Sequence, residues 1–203
     1  MTSCEGGVFE KVLQILHAEC RISLKKPQYT SLVMIDSQAM KNTCNAAKDT
    51  SGFFFYKNTS WVDTLGLPFF THCTPANISD NQGLIEMLTT HINYFKSKPM
   101  NVPKITILLD NGYHPSKIIT ALVKVYPNIM RKIKIQLSPK PSKTEKSEKG
   151  QSGFVPVAKR WIIQRSNAWM ERCKILVKNY EKTLKNANTK IQLCFLRIAL
   201  RSL

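Results

Sequence analysis

The sequence predicts an α/β protein: a mixed sheet of about five strands, flanked by helices, with a long C-terminal helix. Three observations lead there. Compact apolar runs of strand length, SLVMID (31–36) and KITILLD (104–110), alternate with segments whose apolar residues recur at helical spacing. Between them lie GFFFYK (52–57) and WVDTLGLPFFTHCT (61–74), both rich in aromatic and β-branched residues. The 203 residues are 43% hydrophobic, enough for one sizeable core.

Taken in order, Phe9, Val12, Leu13, Leu16 and Cys20 mark an amphipathic helix over Gly7–Ile22, ended by the polar residues around Pro27. SLVMID is the first strand and ends on Asp36. GFFFYK and WVDTLGLPFFTHCT predict two further strands joined by a turn around Asn58–Ser60. Asn77–Asp80 offers cap chemistry, and Leu84, Leu88, Ile92 and Phe95 mark the following helix. KITILLD is apolar enough for a strand buried on both faces and ends on Asp110. NGYHP turns the chain, and Pro115 suits the first turn of a helix reaching about Val125. KIKIQL (132–137) alternates as a half-exposed strand does.

SPKPSKTEKSEKGQSG (138–153) has no large apolar residue and predicts a basic loop. A long helix is expected over Ala158–Leu184, with Trp161, Ala168, Trp169, Cys173, Leu176 and Tyr180 among its apolar positions. A last helix is expected from about Thr189 to Leu200. The order of strands and helices matches an RNase H-like layout. The organisation is then an N-terminal helical segment (1–30), a core (31–203) and a basic loop within that core at 138–153.

Charge narrows the function. There are 30 Lys+Arg against 13 Asp+Glu, a net charge of +17. Residues 131–203 carry 18 basic and 4 acidic residues, or +14, which leaves +3 for residues 1–130. A basic final third on a nearly neutral body suits a polyanion, most simply nucleic acid; a solvated face serving solubility is the alternative. The six cysteines form no C-x-x-C pair and no zinc-spaced cluster, so they read as small core residues of a reduced, cytoplasmic protein. No signal core leads the chain, and no apolar run approaches the ~20 residues of a membrane span.

Asp36 and Asp110 each close a buried run. On adjacent central strands their carboxylates would share one end of the sheet and repel each other unless cations neutralise them. Mg²⁺ prefers oxygen ligands, commonly one or two carboxylates plus water. Two such ions can activate an attacking oxygen and stabilise a leaving one at phosphorus. That is the chemistry of phosphodiester cleavage or strand transfer. Each aspartate taken alone also reads as a turn or cap residue.

IDSQAMK (35–41), VDTLGLPFFTHCTPANISDNQGL (62–84), ILLDNGYHP (107–115) and RWIIQRSNAWMERCKILVKNYEKT (160–183) resemble, in order, the core blocks of bacterial insertion-sequence transposases of the DDE type. The resemblance implies an RNase H-like catalytic core and a two-ion Mg²⁺ (or Mn²⁺) site. It also implies cutting and joining of double-stranded DNA, at transposon ends and target, in the cytoplasm and nucleoid of a bacterium, with a homodimer among the assemblies allowed. Asp36 matches the first catalytic aspartate and Asp110 the second. The third acid of the family is a glutamate on the late helix, four positions after a basic residue and directly before an arginine. Arg160 and Arg165 match those neighbours, and the residue between them is Gln164. An amide there brings no charge, so the resemblance implies impaired catalysis. Arg160, Arg165, Arg172 and Lys174 are the implied DNA contacts.

Two further departures stand out. The chain between Gly52 and Asp63 is shorter than in relatives, and the helical region ahead of Asp36 is a remnant. Glu171 shares the helix face of Gln164 but lies about 10 Å further along the axis, too far to replace it. Asp63, Asp80, His72 and His114 read as structural. Trp161 and Trp169 read as core packing, with stacking on DNA bases as the alternative. Two other functions fit the same residues: a non-catalytic DNA-binding remnant, and an RNase H-like nuclease without strand transfer.

Overall fold

The computed structural model of the chain describes residues 7–43, 55–138 and 160–201. Cys4, Cys44, the side chain of Arg160 and all of the predicted basic loop except Ser138 lie outside the described residues.

Five strands form one sheet in the order β3-β2-β1-β4-β5. They are β1 (Leu32–Lys41), β2 (Phe55–Asp63), β3 (Pro68–Pro75), β4 (Ile105–Leu109) and β5 (Ile133–Leu137). β1 pairs antiparallel with β2 and parallel with β4; β2–β3 is antiparallel and β4–β5 parallel. This mixed, helix-flanked sheet is the RNase H-like architecture expected from the sequence. The helices are α1 (Val8–Ser23), α2 (Asp80–Thr90), α3 (Ile92–Ser97), α4 (Pro115–Val125), α5 (Ile129–Lys132), α6 (Arg160–Glu171), α7 (Lys174–Val177) and α8 (Leu184–Leu200).

Strand alternation divides the core into two layers. Val33 and Ile35 of β1 and Ile105, Ile107 and Leu109 of β4 join the larger cluster, with Leu84, Met87 and Leu88 of α2 and Ile118 and Leu122 of α4. Met34 of β1, Val62 of β2 and Leu108 of β4 point to the other face, where Ile162 and Ile163 of α6 cover them. β4 is central, yet it alternates buried and half-buried positions instead of being sealed on both sides. Its even-numbered residues line the face under α6.

Three expectations need correction. The turn after β2 is not at Asn58–Ser60. Those three residues are buried within β2, paired to β1 and β3 on either side. The chain reverses at 64–67, where Gly66 takes φ +79°, a conformation that suits glycine, and the Asp63 carboxylate accepts from the Leu65 and Leu67 backbone N–H groups at 2.8 and 3.1 Å. Asp36 does not end its strand; β1 runs on to Lys41 because β2 supplies partners along its length.

The long helix expected over 158–184 is broken. α6 stops at Glu171, a single turn follows as α7, and Asn179 forms a parallel bridge with Asn42. Asn179 N–H donates to the Lys41 carbonyl and Thr43 N–H to the Asn179 carbonyl, both at 2.9 Å. Backbone pairing with the end of β1 thus replaces helix continuation. The last helix gains a turn at its start, where Thr183 Oγ1 accepts from Asn186 N–H at 3.2 Å.

Asp63 is buried, as expected of a structural acid. Arg21 Nη1 donates to its Oδ2 at 2.6 Å, and His17 Nε2 lies 3.0 Å from the same oxygen. Burial alone would push this carboxyl up, but the His17 and Arg21 contacts and the backbone donors outweigh it and hold the carboxyl below its usual range. Asp80 opens α2 behind its N-cap Ser79 and pairs with Lys57 at 3.0 Å. His72 lies 3.4 Å from Glu86, and the His114 backbone N–H bonds Asn81. Cys20, Cys73, Cys173 and Cys194 are free and buried, in keeping with thiols used as core residues.

Candidate active site

The β1–β4 register places the two candidate acids level with each other. Leu32, Val33 and Met34 pair with Thr106, Ile107 and Leu108, a constant offset of 74. Two residues on, the same offset aligns Asp36 with Asp110. β5 continues the line: Leu109 pairs with Leu137, and Ser138 N–H donates to the Leu109 carbonyl at 2.7 Å. Parity sends Asp36 and Asp110 to the face that carries Met34 and Leu108, under α6. Both aspartates, Ser138 and Ile163 line one cleft of about 20 Å³. Each aspartate is half-buried. Tyr113 senses the concentrated charge: burial first, then the carboxylates of Asp80, Asp36 and Asp110, push its phenol up.

α6 fits this face because its inward residues recur every three or four positions: Ile162 and Ile163, Ser166 and Asn167, then Met170, all buried. Asn167 Nδ2 donates to Asp36 Oδ2 at 2.9 Å. Ser166 Oγ donates to the Gly66 carbonyl at 2.7 Å, which ties α6 to the β2–β3 turn. On β2, Ser60 pairs across from Asp36 and Asn58 Nδ2 donates to Ser60 Oγ at 2.9 Å, so polar groups surround the inner side of Asp36.

The structure therefore brings Asp36 and Asp110 together and puts α6 beside them. Gln164 lies on α6 next to the cleft-lining Ile163, but its side chain is exposed and is not part of the cleft wall. The α6 group that touches Asp36 is Asn167, which the sequence reading did not single out. Its signal was helical spacing: it stands three positions after Gln164, one turn along nearly the same face.

Arg165 is engaged within the protein. Its Nη2 donates to the Leu65 carbonyl at 2.7 Å, and its guanidinium carbon lies 4.8 Å from the Trp161 ring centroid and 4.9 Å from that of Trp169. The expectation that both tryptophans pack in the core is corrected: Trp161 is 53% exposed and Trp169 half-buried, and together they sandwich Arg165. The core side of α6 is filled by the isoleucines and Met170 instead. Arg172 and Lys174 are exposed. Arg172 lines a second cavity of about 280 Å³ with Trp169, Cys173, Arg197, Ile198 and Arg201. Three arginines thus meet near the C-terminal ends of α6 and α8.

A metal fits the first cleft by the chemistry of its donors. Among the described residues no group of three or more His, Cys, Asp or Glu could hold an ion. Two carboxylates are nonetheless a usual protein complement for Mg²⁺. Ser138 Oγ, on a residue that also lines the cleft, is buried and has no hydrogen-bond partner among the described residues. Among the described residues, no helix is long and apolar enough to cross a membrane.

Several solved structures align with this chain. The Mos1 strand transfer complex does so with TM-score 0.40 and 12% identity over 95% of this chain and 59% of the Mos1 chain. The chain therefore spans 59% of the length of that relative. The catalytic domain of Mos1 mariner transposase aligns with TM-score 0.33 and 11% identity, covering 100% of this chain and 95% of that one. The Mos1 catalytic domain with raltegravir and Mg aligns with TM-score 0.35 and 10% identity, covering 100% and 97%. No curated protein of similar sequence matches the chain. The family described as transposase DDE domain matches residues 27–198, from just before β1 to near the end of α8. The chain belongs to the transposase DDE domain family.

Proposed function

We propose that this protein binds double-stranded DNA and carries a divalent-metal site of the strand-cleaving and strand-joining kind, impaired by Gln164. The observation that carries this reading is the alignment of Asp36 with Asp110 under α6. Asp36 and Asp110 would hold Mg²⁺ or Mn²⁺ ions, and Gln164 occupies the position of the third acid. When bound, such ions supply activation of an attacking oxygen and stabilisation of a leaving oxygen at phosphorus. The protein's own contribution is to bring two carboxylates, one on β1 and one just past the end of β4, into one cleft, with Asn167 bonded to Asp36. An amide at position 164 brings no charge, so a second ion at the site would have one carboxylate fewer to neutralise it. The source we propose is a bacterial insertion sequence, with transposon ends and target DNA as substrates and a homodimer as an assembly to be tested.

A specific observation favours a second reading. Arg172, Arg197 and Arg201 gather around Trp169 away from the carboxylate cleft. They suit phosphate contacts whether or not the cleft is active, as in a non-catalytic DNA-binding remnant. A strand-transfer assay in Mg²⁺ on the parent and on Gln164→Glu separates the readings. The first expects cleavage and joining to rise in Gln164→Glu. Full activity in the parent would show that the amide does not disable the site. Binding without cutting in both proteins supports the second reading, and cut but unjoined products indicate a nuclease.

A further inference from the structure

We propose that the outward face of α1 is a contact surface for a second copy of this chain, with the two α1 helices antiparallel across a two-fold axis at Ile15. This rests on the homodimer of the proposed function, for which it names a surface, and uses no part of the Asp36–Asp110 cleft.

The first observation is that α1 is apolar on both sides. Its inner side is already satisfied: Leu13, His17 and Cys20 are buried and Arg21 bonds Asp63, where α1 packs on α8 and β3. A surface helix of this kind normally turns polar residues outward. Here Val8, Val12, Ile15 and Ile22 stand outside instead, 68%, 39%, 61% and 52% exposed. With the exposed Glu19 they fall at 8, 12, 15, 19 and 22, in alternating steps of four and three. That alternation keeps residues on one line along a helix and is the seam spacing by which two helices pack together. Exposed apolar residues scattered singly need no explanation, but a line of them along a 16-residue helix marks an interaction surface. Ile15 and Glu19 also line a cavity of about 430 Å³ with Tyr29 and Tyr94, so a helix laid on the seam finds a depression beside it.

The second observation selects the partner. The other exposed charge on this side is Lys11, and neither Lys11 nor Glu19 forms an ion pair among the described residues. They stand four positions either side of Ile15, and Val8 and Ile22 stand seven either side. A second copy turned end for end about Ile15 therefore sets Val8 level with Ile22 and Lys11 level with Glu19, each twice. A surface that matches itself in this way is what a two-fold interface requires. A parallel pair would instead set Glu19 against Glu19, and like charges so placed repel. The antiparallel pair also brings each Glu19 to the first turns of the partner helix, the positive end of its dipole.

The same features bound the strength. A helix of this length spans only about 24 Å, so the contact belongs to the small, reversible class with a dissociation constant of roughly micromolar order. The net charge of +17 opposes the approach of two copies, and salt screens that repulsion.

The test is sedimentation velocity of the full chain at about physiological salt, from about 1 to about 200 µM, with circular dichroism as a check of folding. The parent is expected to pass from monomer to dimer within this range. Ile15→Asp, which puts two like charges at the axis, is expected to stay monomeric throughout. Val125→Asp, at a 47% exposed apolar residue of α4, is expected to dimerise as the parent does. Lys11→Glu and Glu19→Lys are each expected to weaken self-association about 10-fold. Mixed in equal amounts, those two are expected to form a heterodimer with the affinity of the parent, because each subunit supplies the charge the other lacks. A purely structural role within one chain gives no such rescue. A mixture that associates no better than either variant alone overturns the inference. A dimer that survives in folded Ile15→Asp overturns α1 as its surface and leaves the homodimer standing. A parent that stays monomeric overturns both, and leaves the seam to another segment of the chain or to a different protein.

Discussion

The guanidinium of Arg165 fills the space into which a side chain on Gly66 would project: a Cβ there would lie 2.5 Å from Arg165 Nη2. The β2–β3 turn and α6 are thereby fitted to each other. Gly66 takes φ +79°, and Arg165 cannot easily retreat, because the Leu65 carbonyl and two tryptophan rings hold it. Gly66→Ala should therefore cost about 1–3 kcal/mol, from backbone strain and from displacement of the guanidinium. Urea unfolding monitored by tryptophan fluorescence measures the destabilisation directly, since Trp161 and Trp169 flank the displaced group. A midpoint unchanged from the parent would show that Arg165 swings aside freely.

The Asp63 cluster predicts a pH response. Removing the charge with Asp63→Asn leaves Arg21 buried without its counter-ion and should cost about 3–5 kcal/mol. The folded carboxyl titrates below its unfolded value, so its contribution is complete above the unfolded pKa of about 4 and disappears as pH falls through the lower folded value. Denaturation midpoints of the parent should therefore hold steady from neutral pH to about pH 5 and drop in more acidic buffer. In Asp63→Asn this acid-side drop should be smaller. Equal acid sensitivity in the two proteins would place the titrating group elsewhere.

Arg172, Arg197 and Arg201 predict a salt signature. If they meet DNA phosphates, replacing each with Gln should lower the slope of log binding constant against log salt by about 0.9 for each phosphate no longer neutralised. Fluorescence anisotropy in chelator, where no strand is cut, isolates this electrostatic part of binding. A slope equal to that of the parent in the triple variant would remove this cavity from the DNA-binding surface.

The segment that breaks the long helix predicts a local effect. Asn179 Nδ2 donates to Asn42 Oδ1 at 2.8 Å, and Asn179 Oδ1 accepts from Glu181 N–H at 3.1 Å. Asn179→Ala should cost about 1–3 kcal/mol. Amide exchange at Thr43 should speed up, because its N–H is bonded to the Asn179 carbonyl. Exchange within β4, on the far side of β1's other end, should change only with global stability.

The elements that the sequence made legible are those whose signal is local. Pro115 at the start of α4, the Ser79 cap of α2 and the apolar run of β4 each carry their own geometry, so their positions follow from nearby residues. Asp36 and Asp110 were legible as candidates because each follows an apolar run. The β2–β3 turn was misplaced because Asn58, Thr59 and Ser60 resemble turn residues in isolation; pairing on both edges makes them strand. The helix break was missed for the same reason. Residues 172–184 keep helical character in sequence, and only the open end of β1 at Lys41–Thr43 draws Asn179 into a bridge.

By itself the sequence determined the α/β class, the basic final third and two candidate acids, because composition and periodicity are properties of consecutive residues; Gln164 stood out only through the family resemblance. Only the tertiary structure decided which atoms meet. The β1–β4 register set Asp36 level with Asp110, and the rotation of α6 turned Asn167 toward Asp36 and left Gln164 exposed. One step along a helix turns a side chain by about 100°, so three positions nearly complete a turn. That remainder, fixed by Ile162, Ile163 and Met170 packing on the sheet, separates a residue that touches the carboxylate from one that does not.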